Sequence, residues 1–175
     1  MDKAKMEQQR HEVLTALNEQ FADELIPARL LNKEAEEEGT GTEILSVLFE
    51  NLAVDGGDVF GEFFFSPISD NDELQVFQNV LTLDDEVSEE NTGELLLAAS
   101  IVNTYLPVGA FIVDVRGKSL VYRHGYEMPL SLTDEEVRTS VDICIGAAMQ
   151  MVERFGYLLA EVALGERDAE SVSQI

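Results

Sequence analysis

Cys144, His11 and His124 carry the side chains that most readily ligate metals or attack electrophiles, and their spacing supports neither role. No second histidine or cysteine lies at zinc-ligand distance from any of them. Cys144 falls inside an apolar helical stripe, away from the electropositive helix start that activates a thiolate, so it reads as a buried structural thiol. Asp70-x-Asp72 and Asp84-Asp85-Glu86 offer oxygen ligands. They lack the glycine and distant glutamate of a 12-residue calcium loop, and solvated acidic loops account for them better. Gly56-Gly57 has no following Lys-Ser/Thr to hold a phosphate. Carboxylate pairs suited to acid-base work are bound to occur among 35 acidic residues, so their presence signals nothing. The sequence therefore predicts no catalytic group, no metal and no cofactor.

Four aromatics in six positions form a different kind of signal. On a strand, Phe63 and Phe65 share one face and Phe60 and Phe64 the other. If one face meets a core helix, the other needs a second helix, a second subunit or a bound peptide. Core packing and a partner surface both remain open on this pattern.

The charge balance is the one compositional outlier, with 35 acidic and 11 basic residues and a net charge of −24. From Glu34 to Val115 there is no Lys, Arg or His and there are 19 acidic residues. A field of that sign repels nucleic acid and anionic membrane surfaces, so neither is expected as a partner. The charge maintains solubility or, in the sharper reading, steers a basic protein segment to the surface. No apolar run reaches 18 residues, and Asp2, Lys3, Lys5 and Glu7 replace the start of a signal peptide, which predicts a soluble, cytoplasmic protein.

The element that must position everything else runs from Thr133 to about Leu164. Val137, Val141, Cys144, Ala148, Met151, Phe155, Leu158 and Val162 recur at spacings of four and three, the stripe of one long helix. Thr133 with Glu136 completes a capping box at its start. A first amphipathic helix is marked by Val13, Leu14, Leu17, Phe21 and Leu25 and is bounded by Pro27, after which Ala28 to Gly41 reads as a solvated linker or helix end. Ile44–Leu52 suits a helix or a strand. With the turn Asp55-Gly-Gly-Asp58 and the β-prone Val59–Phe65, a hairpin is more economical. Leu74–Leu83 reads as a third strand, joined to it by the loop Ser69–Glu73. A helix capped at Ser88 runs to Tyr105 with Leu95, Ala98, Ala99, Val102 and Tyr105 inward. Ala110–Val115 and Ser119–Tyr126 are two strands turned by Arg116-Gly117-Lys118, with Gly117 expected to supply the unusual backbone angle. The prediction is an α+β fold, an antiparallel sheet of about five strands with helices packed on it, in the order α-β-β-β-α-β-β-α. Residues 1–33 form the N-terminal helix and linker, 34–165 a single domain, and 166–175 a frayed polar tail.

That order, size and acidity resemble the type III secretion chaperone-like superfamily. Val102-Asn103-Thr104-Tyr105-Leu106-Pro107-Val108-Gly109-Ala110-Phe111, then Val113-Asp114, Gly117 and Leu120-Val121-Tyr122-Arg123, resemble the YbjN family within it, as does Phe155-Gly156-Tyr157 in a long last helix. The resemblance covers roughly Ile44 to Gly165. It implies a non-enzymatic, homodimeric protein that binds other polypeptides, chaperone-like or adaptor-like, without cofactor. Asn103, Pro107, Gly109 and Arg123 then shape the helix end and hairpin. Candidate partner or dimer surface residues are Phe60, Phe63, Phe64 and Phe65, together with Phe155, Leu158 and Leu159, where the helix stripe is wider than a small sheet covers. The alternative is a regulatory protein that senses a small molecule on the sheet surface.

Overall fold

The computed structural model describes residues 3–33, 42–52, 57–66 and 74–174. The acidic run 34–38, the glycines at 39, 41 and 56, and the 69–73 loop with Asp70 and Asp72 lie outside the described residues. The chain is α+β. Its elements are α1 (Lys3–Asp23), β1 (Ala28–Lys33), β2 (Thr42–Phe49), β3 (Val59–Ser66), β4 (Leu74–Asp84), α2 (Thr92–Asn103), β5 (Ala110–Asp114), β6 (Ser119–Pro129), α3 (Asp134–Met151), a π turn (Val152–Gly156), α4 (Tyr157–Ala163) and a 3-10 turn (Ala169–Gln174). Six strands form one sheet in the order β1-β2-β3-β4-β6-β5.

The sixth strand is the main departure from the sequence reading. Ala28–Lys33 is not linker but β1, antiparallel to β2 from the pair Ala28↔Val47 to Lys33↔Thr42. Its composition, with Arg29, Asn32 and Lys33 around two leucines, hides the strand; pairing with the well-formed β2 supplies the order that local propensity does not. The entry to it is tight. Leu25 sits at φ 61° and Ile26 N–H returns to the Phe21 carbonyl at 2.8 Å, which ends α1 before Pro27. Ile44–Phe49 resolves as strand, as the hairpin argument requires.

The chain forms two compact units. The first comprises Met1–Leu48, Gly61–Asn79 and Gly125–Ile145. Here α1 lowers Val13, Leu14, Leu17 and Phe21 into the core. Phe21 stacks on Phe63 with ring centroids 6.3 Å apart, Phe63 on Phe77 at 6.5 Å, and Phe65 meets Phe77 edge-on at 5.2 Å. A polar chain, buried at Gln9 and Gln75, runs beside these rings. Arg10 Nε donates to Gln75 Oε1 (3.2 Å), Gln75 Nε2 to Gln9 Oε1 (3.3 Å), and Gln9 Nε2 to Asp134 Oδ1 (2.6 Å). It ties α1 to β4 and to the start of α3, and the Arg10 guanidinium lies 5.5 Å over the Phe65 ring. The predicted capping box is formed: Thr133 Oγ1 accepts from Glu136 N–H, and Glu136 Oε2 accepts from both Thr133 N–H and its hydroxyl.

The second unit comprises Phe49–Phe60, Val80–His124 and Gly146–Ile175. In it α2 packs against β5, α4 and the terminal 3-10 turn. The tail is not frayed: Ala169 and Val172 are fully buried, and Glu94 Oε2 accepts from Ala169 N–H at 3.1 Å. Two apolar residues three apart suffice to seat one 3-10 turn, a signal too short to stand out in a polar sequence. The last helix is interrupted by a π turn, which places Gly156 where an added Cβ would lie 2.7 Å from Leu83 Cδ2. By length and composition the Asp134–Ala163 helix could cross a membrane, yet half of its most apolar window is buried within the protein. The β5–β6 turn differs from expectation in one angle. Lys118, at φ 54°, takes the left-handed position, while Gly117 is needed for space, since a Cβ there would meet Asp114 Oδ2 at 2.6 Å.

Candidate interaction surface

The chemistry-bearing residues settle first. Cys144 is buried, Asn79 Nδ2 donates to its sulfur at 2.8 Å, and burial pushes its thiol above the ordinary range. A protonated, enclosed thiol is unreactive. His11 lies beside Glu43 at 2.9 Å on the surface, and His124 is half-buried with its pKa lowered by desolvation. Among the described residues no group of histidine, cysteine and carboxylate side chains is arranged to hold a metal. Two surface depressions, of about 390 and 460 Å³, are lined by carboxylates with one arginine each: Glu161, Glu166, Asp168 and Arg167 in one, Glu19, Asp23, Glu24 and Arg138 in the other.

The aromatic and helical residues predicted to meet a partner separate into two groups. Phe63 and Phe65 are buried beneath α1, and Phe155, Leu158 and Leu159 are buried in the second unit, so these five are core of their own chain. The helix stripe that looked too wide for a small sheet is covered by elements of the same protomer. Phe60 and Phe64, on the opposite face of β3 as strand alternation dictates, are exposed and half-buried respectively. They remain accessible on the face of β3 away from Phe63 and Phe65.

A larger apolar surface lies on α2. The helix begins at Thr92, four residues after Ser88, with Asn91 as its N-cap residue; Asn91 Nδ2 donates to the Ala163 carbonyl at 2.8 Å. Its end is fixed by Asn103, whose Nδ2 donates to the Phe111 carbonyl (2.9 Å) while its Oδ1 accepts from Phe111 N–H (2.8 Å). Gly109, at φ 68°, then turns the chain under the Tyr122 hydroxyl, which donates to the Val108 carbonyl at 2.9 Å. Leu95, Ala98, Ala99 and Val102 form the inward stripe. The outward side carries Gly93, Leu96, Leu97, Ser100, Ile101 and Thr104, with Glu94 in the first turn as its one charge. Leu96 and Leu97 are 45% and 48% exposed, and space is open in front of Gly93. Tyr105, expected inward, is 50% exposed just past the helix end.

Adjacent large apolar side chains on a helix are ordinarily enclosed by protein, and on α2 Leu96 and Leu97 are half exposed. The acidic groups gather at its N-terminal end: Glu89, Glu90 and Glu94, with Glu166, Asp168 and Glu170 on the segment whose Ala169 N–H bonds Glu94. Lys118 Nζ lies 3.1 Å from Glu89, and Arg167 is engaged by Glu161. Sequence reasoning passed over Leu96 and Leu97 because it sought the stripe that packs inward. The signal was present in Leu-Leu-Leu-Ala-Ala-Ser-Ile-Val, a helix with one charged residue and no polar face.

No protein-family model matches the chain, and no curated protein matches it. Among solved structures it is similar to an uncharacterized protein from Methanothermobacter thermautotrophicus, at 12% identity and a TM-score of 0.39. That match covers 82% of this chain and 99% of the other.

Proposed function

We propose that this protein is a non-enzymatic polypeptide-binding protein, of the chaperone-like or adaptor-like kind that the resemblance to YbjN and type III secretion chaperones implies. One observation carries the reading: Leu96 and Leu97 stand exposed on the outward side of α2, where Glu94 in the first turn is the one charge, in a chain of net charge −24. Leaving Leu96 and Leu97 in water forgoes the stabilisation that burial of such side chains brings, about 1.5–3 kcal/mol each when complete. A bound partner recovers it. The acidic surroundings keep the free protein dispersed and discourage contacts with anionic surfaces.

The test compares the native chain with a Leu96→Asp, Leu97→Asp double variant as bait in its native lysate. A polypeptide retained by the first and lost by the second, with circular dichroism unchanged, is the expected result. If the two baits retain the same polypeptides, or none, the reading is wrong.

A further inference from the structure

We infer that the outward side of α2 seats a basic amphipathic helix of a partner protein, which rests on the polypeptide-binding reading and adds the partner's chemistry to it. Partners that add as strands need free backbone groups on a sheet edge, and β5 is the last strand at its end of the sheet order. There the Asn103 amide takes both the N–H and the carbonyl of Phe111, so the edge is already occupied at that residue. The surface that carries the exposed leucines is three turns of helix, about 18 Å long. Leu97 and Ile101 lie one turn apart, Leu96 beside them, and Gly93 and Ser100 let a second helix approach closely.

No lysine or arginine occurs between Glu34 and Val115, Lys118 and Arg167 are engaged by Glu89 and Glu161, and six carboxylates lie at the N-terminal end of α2. A partner helix with leucines on one side and lysines or arginines flanking them satisfies both surfaces at once, with its basic end over Glu90 and Glu94. A second copy of this chain instead brings another −24 charges and the same carboxylate cluster.

Three labelled peptides of about 18 residues with one leucine pattern, filled in with lysine, glutamine or glutamate, separate the possibilities by fluorescence anisotropy. The lysine peptide is expected to bind about tenfold tighter than the glutamine peptide in 50 mM salt. Most of that advantage should vanish in 500 mM salt. Leu96→Asp with Leu97→Asp should weaken both peptides about tenfold, whereas Glu90→Gln with Glu94→Gln should weaken the lysine peptide alone. Equal affinity for lysine and glutamine peptides, both lost in the leucine variant, would leave a polypeptide surface and overturn the basic partner. Binding indifferent to the leucine variant would overturn the surface itself. Two further results also overturn the proposal. One is a doubled mass in light scattering that the leucine variant abolishes, which makes the occupant a second copy. The other is sedimentation with phosphatidylcholine vesicles that the same variant abolishes, which makes it lipid.

Discussion

Helices α1 and α2 each cover apolar surface in their own unit, and they treat water in opposite ways. Helix α1 buries the stripe Val13, Leu14, Leu17 and Phe21 and turns Glu7, His11, Glu12, Glu19 and Asp23 outward. Its apolar side is satisfied within the chain, and its own polar anchors, Gln9 and Arg10, are enclosed with partners. Helix α2 buries Leu95, Ala98, Ala99 and Val102 and turns leucines outward as well. The same inward packing thus coexists with two outward faces of different chemistry. Folding requires only the inward stripe; the outward face of α2 needs another explanation.

Substitutions at matched depth would sharpen that contrast. The largest effect is expected at the aromatic stack under α1: Phe63→Ala should cost about 3–5 kcal/mol in urea unfolding, because Phe21 and Phe77 lose their shared neighbour. Next comes the polar chain. Gln75→Leu strands the inward groups of Gln9 and Arg10 and should cost about 1–3 kcal/mol. A neutral outcome would mean the chain orients α1 without stabilising it.

Smaller effects follow at the helix ends. Thr133→Ala removes the cap of α3 and should cost about 1 kcal/mol at neutral pH. The Thr133 amide and hydroxyl hold the Glu136 carboxyl below its ordinary pKa. A lowered folded-state pKa contributes stability above the unfolded value that is lost as pH falls through the folded one. The difference between wild type and variant should therefore shrink in acid, below the usual glutamate range. At Leu25, with a left-handed backbone and an exposed side chain, Leu25→Gly should stabilise by about 1 kcal/mol, read as a raised thermal midpoint. Smallest of all, Leu97→Asp should change stability by no more than about 0.5 kcal/mol while weakening polypeptide binding. A loss of several kcal/mol there would show that α2's outward side is needed for folding and erase the contrast with α1.

The legible part of the molecule was whatever a local repeat or motif determines. The stripe from Val137 to Val162, the capping box at Thr133 and Glu136, the inward residues of α2 and the two faces of β3 all follow from helix and strand periodicity. They are set by residues within a few positions of one another. What the tertiary structure decided depends on distant segments. Strand β1 exists because β2 offers it a ladder, and the tail is ordered because Glu94 and the floor of α2 receive it. Phe155, Leu158 and Leu159 are core because their own chain covers them, whereas Leu96 and Leu97 are surface because nothing described does. Periodicity says which residues share a face. Whether that face meets protein or water is a property of packing between segments far apart in sequence, and on that property the exposure of Leu96 and Leu97 rests.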